Sequence, residues 1–148
     1  MKLSLIVCSL VLMGLSTQAQ DPVKWTFSSK KIDDKTFEVH LTATVQSPWT
    51  IYSQTTPDGG PLATSFTFNN NPLLILSGKV KEVGTMHKKH EEVFGVDVFY
   101  YKDKVDFVQV VKLKTKAKTN LSGKLEYMAC DEEQCLPPKE VTFSVVLQ

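Results

Sequence analysis

The sequence predicts an all-β protein in which antiparallel strands bury one face each, and three observations lead to this fold class. Apolar and polar residues alternate over several short stretches, and turn-forming residues separate these stretches. In addition, no window keeps an apolar period of 3.6 residues over the length of a helix. Roughly nine or ten short strands at this spacing are typical of an immunoglobulin-like antiparallel β-sandwich.

Three stretches alternate most regularly and predict half-buried strands: "TFEVHLTATV", "LSGKLEYM" and "VTFSVVL". The residues expected to face the core are Phe37, Val39, Leu41, Ala43 and Val45 in the first, Leu121, Leu125 and Tyr127 in the second, and Val141, Phe143, Val145 and Leu147 in the third. Less regular strand candidates are "KWTFSS", "WTIYS", "TSFTF", "GKVKEVG", "VDVFYY" and "VDFVQVVKL". Turns are expected at 33–35, 57–61, 69–72 and 102–104, where Asp, Asn, Gly and Pro concentrate.

Residues 1–20 have the layout of a secretory signal peptide, with Lys2 as the positive start, an apolar stretch over 3–15, and "STQAQ" as a cleavage region. We therefore expect cleavage after Ala19 or Gln20 and a single domain over 21–148. The apolar stretch is too short to span a bilayer about 30 Å thick, and no later segment qualifies. The sequence thus predicts an exported protein with no membrane span in the mature chain.

Charge argues against a nucleic-acid partner. The chain has 17 basic and 16 acidic residues and a net charge of +1, and loss of Lys2 with the signal peptide leaves it neutral. It contains no arginine, the residue that most often reads bases and phosphates. The run "KLKTKAKT" places lysines at every second position, which predicts one solvated face of a strand.

Two cysteines remain after the signal peptide takes Cys8 with it: Cys130 and Cys135, at the ends of "CDEEQC". A strand ending at Met128 would deliver Cys130 to a sheet edge, and a four-residue turn can hold the pair within disulfide range. Closing so short a loop stabilises by only about 2 kcal/mol. A disulfide at a turn is also reachable by an attacking thiolate. Composition and spacing therefore leave a structural bridge and a redox pair equally open.

Other chemistry has little support in the sequence. No Ser-His-Asp order, paired carboxylates or phosphate-binding loop stands out. The two cysteines lack a second pair of ligands, and the three histidines are distant in sequence, so we expect no metal.

Three segments resemble a known family. "YMACDEEQCLPPKEVTFSV", "SPWTIYSQ" and "EEVFGVDVFYYKDKVDF" are similar to segments of the N-terminal periplasmic domain of the thiol:disulfide interchange protein DsbD. The resemblance covers essentially the whole chain after the signal peptide, and the cysteine motif is its most specific part. It implies an immunoglobulin-like domain that works as an electron relay in the periplasm.

The resemblance also implies roles for individual residues. Cys130 and Cys135 would be the redox pair, with Cys135 forming the mixed disulfide with partners and Cys130 resolving it. A cap loop of Glu91, Glu92, Val93, Phe94 and Gly95 would cover the sulfurs, and Phe94 is the aromatic expected to shield them, with ordinary core packing as the alternative. Tyr52 and Tyr127 would lie beside the pair.

The implied activity is thiol–disulfide interchange without a cofactor. The expected partners are a thioredoxin-like electron donor and periplasmic thiol or disulfide proteins, and a monomer is expected. The alternative is a secreted protein-binding module in which the disulfide only fixes a turn.

Overall fold

The computed structural model describes residues 21–148, so the expected signal peptide and its cleavage point lie outside the described residues. This part of the chain contains eleven β-strands and no helix. The strands are β1 (Val23–Lys31), β2 (Thr36–Val45), β3 (Thr50–Tyr52), β4 (Ser65–Phe68), β5 (Leu74–Val83), β6 (His87–Glu91), β7 (Val96–Tyr101), β8 (Lys104–Leu113), β9 (Thr119–Tyr127), β10 (Ala129–Cys130) and β11 (Lys139–Leu147). Over the same range there is accordingly no helical segment of the length and apolarity that a membrane crossing needs.

The strands form three antiparallel sheets. The first has the order β1-β2-β8-β5, the second β10-β3-β7-β6, and the third β11-β9-β4. One hydrophobic core lies among them, built from the inward faces of β2, β8, β9 and β11 with Ile51, Tyr101 and Ala129 of the second sheet. This arrangement confirms the predicted all-β, immunoglobulin-like antiparallel sandwich.

The predicted alternation is confirmed in the three most regular strands. In β2 the five residues expected to face inward are buried, and the residues between them are half-buried or exposed. In β9 and β11 the expected inward residues are buried too, except that Val141 is half-buried. Because side chains of a strand alternate between its faces, a correct period also fixes which face meets the core.

Two boundaries differ from the sequence predictions. The lysine run after β8 is solvent-exposed, as expected, but β8 ends at Leu113, so Lys114, Lys116 and Lys118 lie in the connection to β9. The lysines are exposed because this segment lies in solvent, and a loop exposes them as well as one face of a strand would. Strand β9 ends at Tyr127, and Met128 separates it from β10, the two-residue strand that carries Cys130.

Candidate functional site

Cys130 and Cys135 are joined by a disulfide bond with an S–S distance of 2.03 Å and a Cα–Cα distance of 4.0 Å. Cys130 lies in β10, the edge strand of the second sheet, where it is the register partner of Thr50 in β3. Cys135 forms an isolated antiparallel bridge with Cys130. The two halves of the bond differ in accessibility, because Cys130 is only 3% exposed whereas Cys135 is exposed. Of the two cysteines, Cys135 is therefore the one that solvent reaches.

Asp131 shapes the turn between the two cysteines. Its Oδ1 atom accepts hydrogen bonds from the backbone N–H groups of Glu133 at 2.8 Å and Gln134 at 2.7 Å. The backbone N–H of Asp131 in turn donates to the carbonyl of Gln134, and that of Leu136 to the carbonyl of Ala129. The carboxylate thus holds the turn that sets Cys135 opposite Cys130. This role of Asp131 was not predicted from the sequence, although an Asp that accepts from amides two residues on is a known turn signal.

Tyr52, Val98 and Cys130 form a small buried cluster that is separate from the main core. Three half-buried side chains pack against it: Val96, Tyr100 and Met128. Burial, the largest cause, raises the pKa of the Tyr52 hydroxyl, and the nearby Glu91 carboxylate raises it further. Tyr52 therefore stays neutral near neutral pH and contributes apolar surface beside the buried sulfur.

A polar hollow of about 150 Å³ opens next to this cluster. Its lining includes Tyr52, Val98 and Tyr100, three carboxylates and two ammonium groups, and the charged members are Lys89, Glu91, Lys102, Asp131 and Glu132. Lys89 pairs with Glu91 at 3.1 Å, and this hydrogen-bonded contact raises the pKa of Lys89. Lys102 places its ammonium nitrogen 5.8 Å from the centre of the Tyr100 ring. The hollow is thus walled by the cysteine turn on one side and by β6 and β7 on the other.

A second, more apolar groove of about 360 Å³ lies along the chain after Cys135. Leu136, Pro137 and Pro138 line it together with Tyr127 and Ala129. At its end the Tyr127 hydroxyl donates to a carboxylate oxygen of Asp21 at 2.9 Å, and the Lys139 ammonium contacts the same oxygen. Tyr127 itself belongs to the main core and not to the cluster around Cys130.

The segment expected to cap the sulfurs is the hairpin that connects β6 to β7. The backbone N–H groups of Phe94 and Gly95 both donate to the carbonyl of Glu91, and Gly95 adopts a φ of 67°, which a residue without Cβ reaches most easily. Val93 is 87% exposed and Phe94 is 48% exposed. Phe94 is therefore no core residue, and it is not among the side chains packed against the cluster of Cys130. Glu91 alone of this segment lines the polar hollow.

No metal site accompanies the disulfide in the part of the chain that the structure describes. Within 21–148, no three His, Cys, Asp or Glu side chains are grouped closely enough to hold an ion. His40 pairs with Asp106 at 2.7 Å, and His90 pairs with Asp97 at 2.8 Å. Both contacts are hydrogen bonds between the ring Nδ1 atom and a carboxylate on a neighbouring strand.

Comparison with known proteins identifies a family for the chain. The sequence profile described as "Thiol:disulfide interchange protein DsbD, N-terminal" matches residues 17–147. No protein with a curated description matches the chain closely enough in sequence to be reported.

Two solved structures are similar in fold. The N-terminal periplasmic domain of ScsB from Proteus mirabilis is 17% identical with a TM-score of 0.51, and the match covers 84% of this chain but only 44% of that one. The DsbD N-terminal domain of Neisseria meningitidis in its reduced form is 16% identical with a TM-score of 0.50, covering 81% of this chain and 82% of that one.

A third solved structure contains a partner. It is the complex between the DsbD N-terminal and PilB N-terminal domains from Neisseria meningitidis, which is 15% identical with a TM-score of 0.51 and covers 86% of this chain and 87% of that one. At identities of 15–17%, the solved structures support only the fold. The sequence profile matches nearly the whole chain and therefore shows the family. The chain belongs to the family of N-terminal domains of the thiol:disulfide interchange protein DsbD.

Proposed function

We propose that this protein is a periplasmic electron relay that exchanges its Cys130–Cys135 disulfide with partner proteins. Membership of the DsbD N-terminal family implies thiol–disulfide exchange with a partner. The observation that carries the proposal is the asymmetry of the disulfide, whose exposed half is Cys135 and whose buried half is Cys130. An accessible sulfur is what a protein thiolate needs for attack.

The exchange runs in two steps. A donor thiolate attacks Sγ of Cys135 and forms an intermolecular disulfide, while the bond to Cys130 breaks and Cys130 leaves as a thiolate. A second donor thiolate then attacks the donor sulfur of that mixed disulfide and releases Cys135. The donor dithiol is oxidised to a disulfide, and the Cys130–Cys135 pair gains two electrons and two protons. The reverse sequence passes both electrons to an acceptor disulfide.

A thioredoxin-like donor and periplasmic thiol or disulfide acceptors are the partners of this proposal. The fold is known to bind a second protein domain in at least one case, since a DsbD N-terminal domain has been solved in complex with the PilB N-terminal domain. The edge position of β10 leaves the cysteine turn at the surface, where a partner domain has room to approach. We expect the protein to act as a monomer.

The alternative function is a secreted binding module with a purely structural disulfide. The small size of the closed loop favours an exchange role over a structural one, because a disulfide that closes six residues adds only about 2 kcal/mol to the free energy of unfolding. In a structural role, Cys130→Ser combined with Cys135→Ser would lower stability by about that amount and leave partner binding intact.

The reduction potential tests the proposal directly. We expect equilibrium with a thioredoxin redox couple to give a value above about −300 mV, together with exchange on the time scale of seconds to minutes. A Cys130→Ala variant should accumulate a mixed disulfide through Cys135, and a Cys135→Ala variant should accumulate little because its remaining thiol is buried. A potential well below about −300 mV with no exchange would assign the bond a structural role.

Under the same proposal, the hairpin of residues 91–95 protects the reduced pair from small oxidants. Phe94 is the better placed of its two apolar tip residues, since it is 48% exposed whereas Val93 is 87% exposed. We expect Phe94→Ala to speed oxidation of the reduced pair by a small disulfide, and Val93→Ala is the matched control. Equal rates in Phe94→Ala and the wild type would remove Phe94 from the proposed shield.

A further inference from the structure

Negative charge surrounds the exposed sulfur of this site. Glu132 and Glu133 occupy the middle of the turn between the cysteines, and both side chains are exposed. Neither takes part in any of the ion pairs found within residues 21–148. Asp131 differs from them, because its carboxylate is engaged by the backbone of the turn. The two glutamates therefore have no structural role in the turn that would explain their charge.

The cations around the hollow cancel only part of this charge: the Glu132 carboxylate acts on the Lys89 ammonium and contributes to its raised pKa. Lys89 is paired with Glu91, and Lys139 on the other side of the turn is paired with Asp21. Lys102 lines the same hollow as Glu132 and lies 5.8 Å from the centre of the Tyr100 ring. Carboxylates outnumber ammonium groups around the hollow, and Glu133 adds one more at the turn. An attacking thiolate, itself an anion, approaches Cys135 through a negative potential.

We infer that Glu132 and Glu133 make Cys135 selective for the charge of the attacking thiol. Donors whose thiol is flanked by positive charge react faster, and anionic low-molecular-weight thiols react more slowly. This inference rests on the proposed function, which it deepens by naming the class of donor: a thiol protein with a cationic rim around its reactive cysteine. An apolar contact of such a donor would meet the groove of Leu136, Pro137 and Pro138 beside the sulfur.

The selectivity acts on one step of the exchange. The donor thiolate forms its bond to Sγ of Cys135 while Cys130 leaves as a thiolate, so negative charge moves from the donor to the protein. The glutamates also disfavour the departing Cys130 thiolate, but that effect is the same for every donor. Only the charge carried elsewhere on the donor changes the repulsion between donor and turn. A comparison of thiols that differ in that charge therefore isolates the selectivity.

The size of the effect follows from screened electrostatics. For an assumed separation on the order of 8 Å between each carboxylate and the reacting sulfur, two carboxylates change the rate by about twofold per unit of donor charge at 0.1 M salt. The change should nearly vanish at 1 M salt, where the screening length falls to about 3 Å.

The experiment compares reduction of the wild type and of a Glu132→Gln/Glu133→Gln variant by three monothiols. Cysteamine, 2-mercaptoethanol and 3-mercaptopropionate attack as thiolates that carry zero, one and two negative charges overall. For each thiol the rate constant of the variant is divided by that of the wild type, which cancels the intrinsic nucleophilicity of the thiol. Asp34→Asn serves as the control, because Asp34 pairs with Lys116 at the end of the sandwich opposite to the cysteine turn.

We expect the ratio of variant to wild type to rise about twofold with each negative charge, hence roughly fourfold from cysteamine to 3-mercaptopropionate, and to flatten in 1 M salt. The Asp34→Asn ratios should stay the same for all three thiols. A ratio in the glutamine variant that is equal for the three thiols would overturn the charge selectivity and leave the proposed exchange standing. Failure of every thiol, and of dithiothreitol, to reduce the folded wild type would instead overturn the exchange function and the selectivity with it.

Discussion

Replacing Asp131 by alanine removes the acceptor that holds the turn between the two cysteines. The Oδ1 atom of Asp131 accepts from two backbone N–H groups at 2.8 and 2.7 Å, in the manner of a helix N-cap. Loss of such a cap typically costs about 1 kcal/mol. Because the turn places Cys135 opposite Cys130, we expect most of this loss to fall on the oxidised form, in which the turn must be closed.

The redox consequence has a definite sign. Destabilising the oxidised form relative to the reduced form makes the disulfide easier to reduce, so the reduction potential of Asp131→Ala should be less negative than that of the wild type. For a two-electron couple, about 1.4 kcal/mol corresponds to 30 mV, so 1 kcal/mol gives up to about 20 mV. Equilibration of wild type and variant with the same thioredoxin couple, followed by quantification of free thiols, measures this difference.

Two further variants separate the hydrogen bonds of Asp131 from its charge. Asp131→Asn keeps a side-chain oxygen that can accept from the same amides while it removes the charge, so its potential should lie close to that of the wild type. Glu132→Gln removes a charge from the turn and leaves the hydrogen bonds in place. If Asp131→Ala and the wild type have the same potential, the turn is equally formed in both redox states, and the reasoning from the turn geometry is refuted.

Three other predictions concern stability. The Phe107 ring is fully buried and packs against three other aromatic side chains. Phe107→Ala should therefore lower the free energy of unfolding in urea by about 3–5 kcal/mol. A loss below about 1 kcal/mol would contradict the central position of this ring. Gly123→Ala would put a Cβ atom 2.3 Å from the carbonyl oxygen of Thr67, so β4 must shift away from β9 at a cost of about 1–3 kcal/mol; unchanged stability would show that β4 moves freely. Burial, followed by the hydrogen bond to Glu82, raises the pKa of Tyr101, so its contribution to stability is complete below about pH 10 and is lost as pH rises further. Above about pH 10, the free energy of unfolding should therefore decrease less steeply with pH for Tyr101→Phe than for the wild type. Equal slopes for the two proteins would argue against the pKa shift.

The fold could be predicted from the sequence to the extent that local patterns determine it. The alternation in β2 and β11 identifies both strands and their buried faces, because the period of a strand depends only on neighbouring residues. The position of β8 between β2 and β5 could not be predicted, since strand order depends on contacts between distant segments. The lysine run shows a related limit, because alternating charges indicate solvent exposure and do not distinguish a strand from a loop.

The site could be predicted only in part for the same reason. The cysteines are close in sequence, so their proximity in space follows from a short turn. The polar hollow has walls from β3, from β6 and β7, and from the cysteine turn, and no local pattern links Lys89 or Lys102 to Glu132. The role of Phe94 depends on whether the hairpin of residues 91–95 covers the sulfurs, and that cover is a prediction from the family resemblance.

The division of the interior into two clusters explains how this domain could open its disulfide and remain folded. The main core takes side chains from all three sheets and includes neither cysteine. Cys130 packs instead with Tyr52 and Val98 in a cluster of its own on the second sheet. Attack at Cys135 therefore acts on a turn that is held by the Asp131 carboxylate and that lies outside the main core, although the adjacent Leu136 packs against that core. A structural disulfide gains most when it joins distant segments, but this one closes a loop next to a core that is already complete. The bond is thus placed where breaking it removes little stability, and this placement suits a disulfide that must be formed and broken repeatedly.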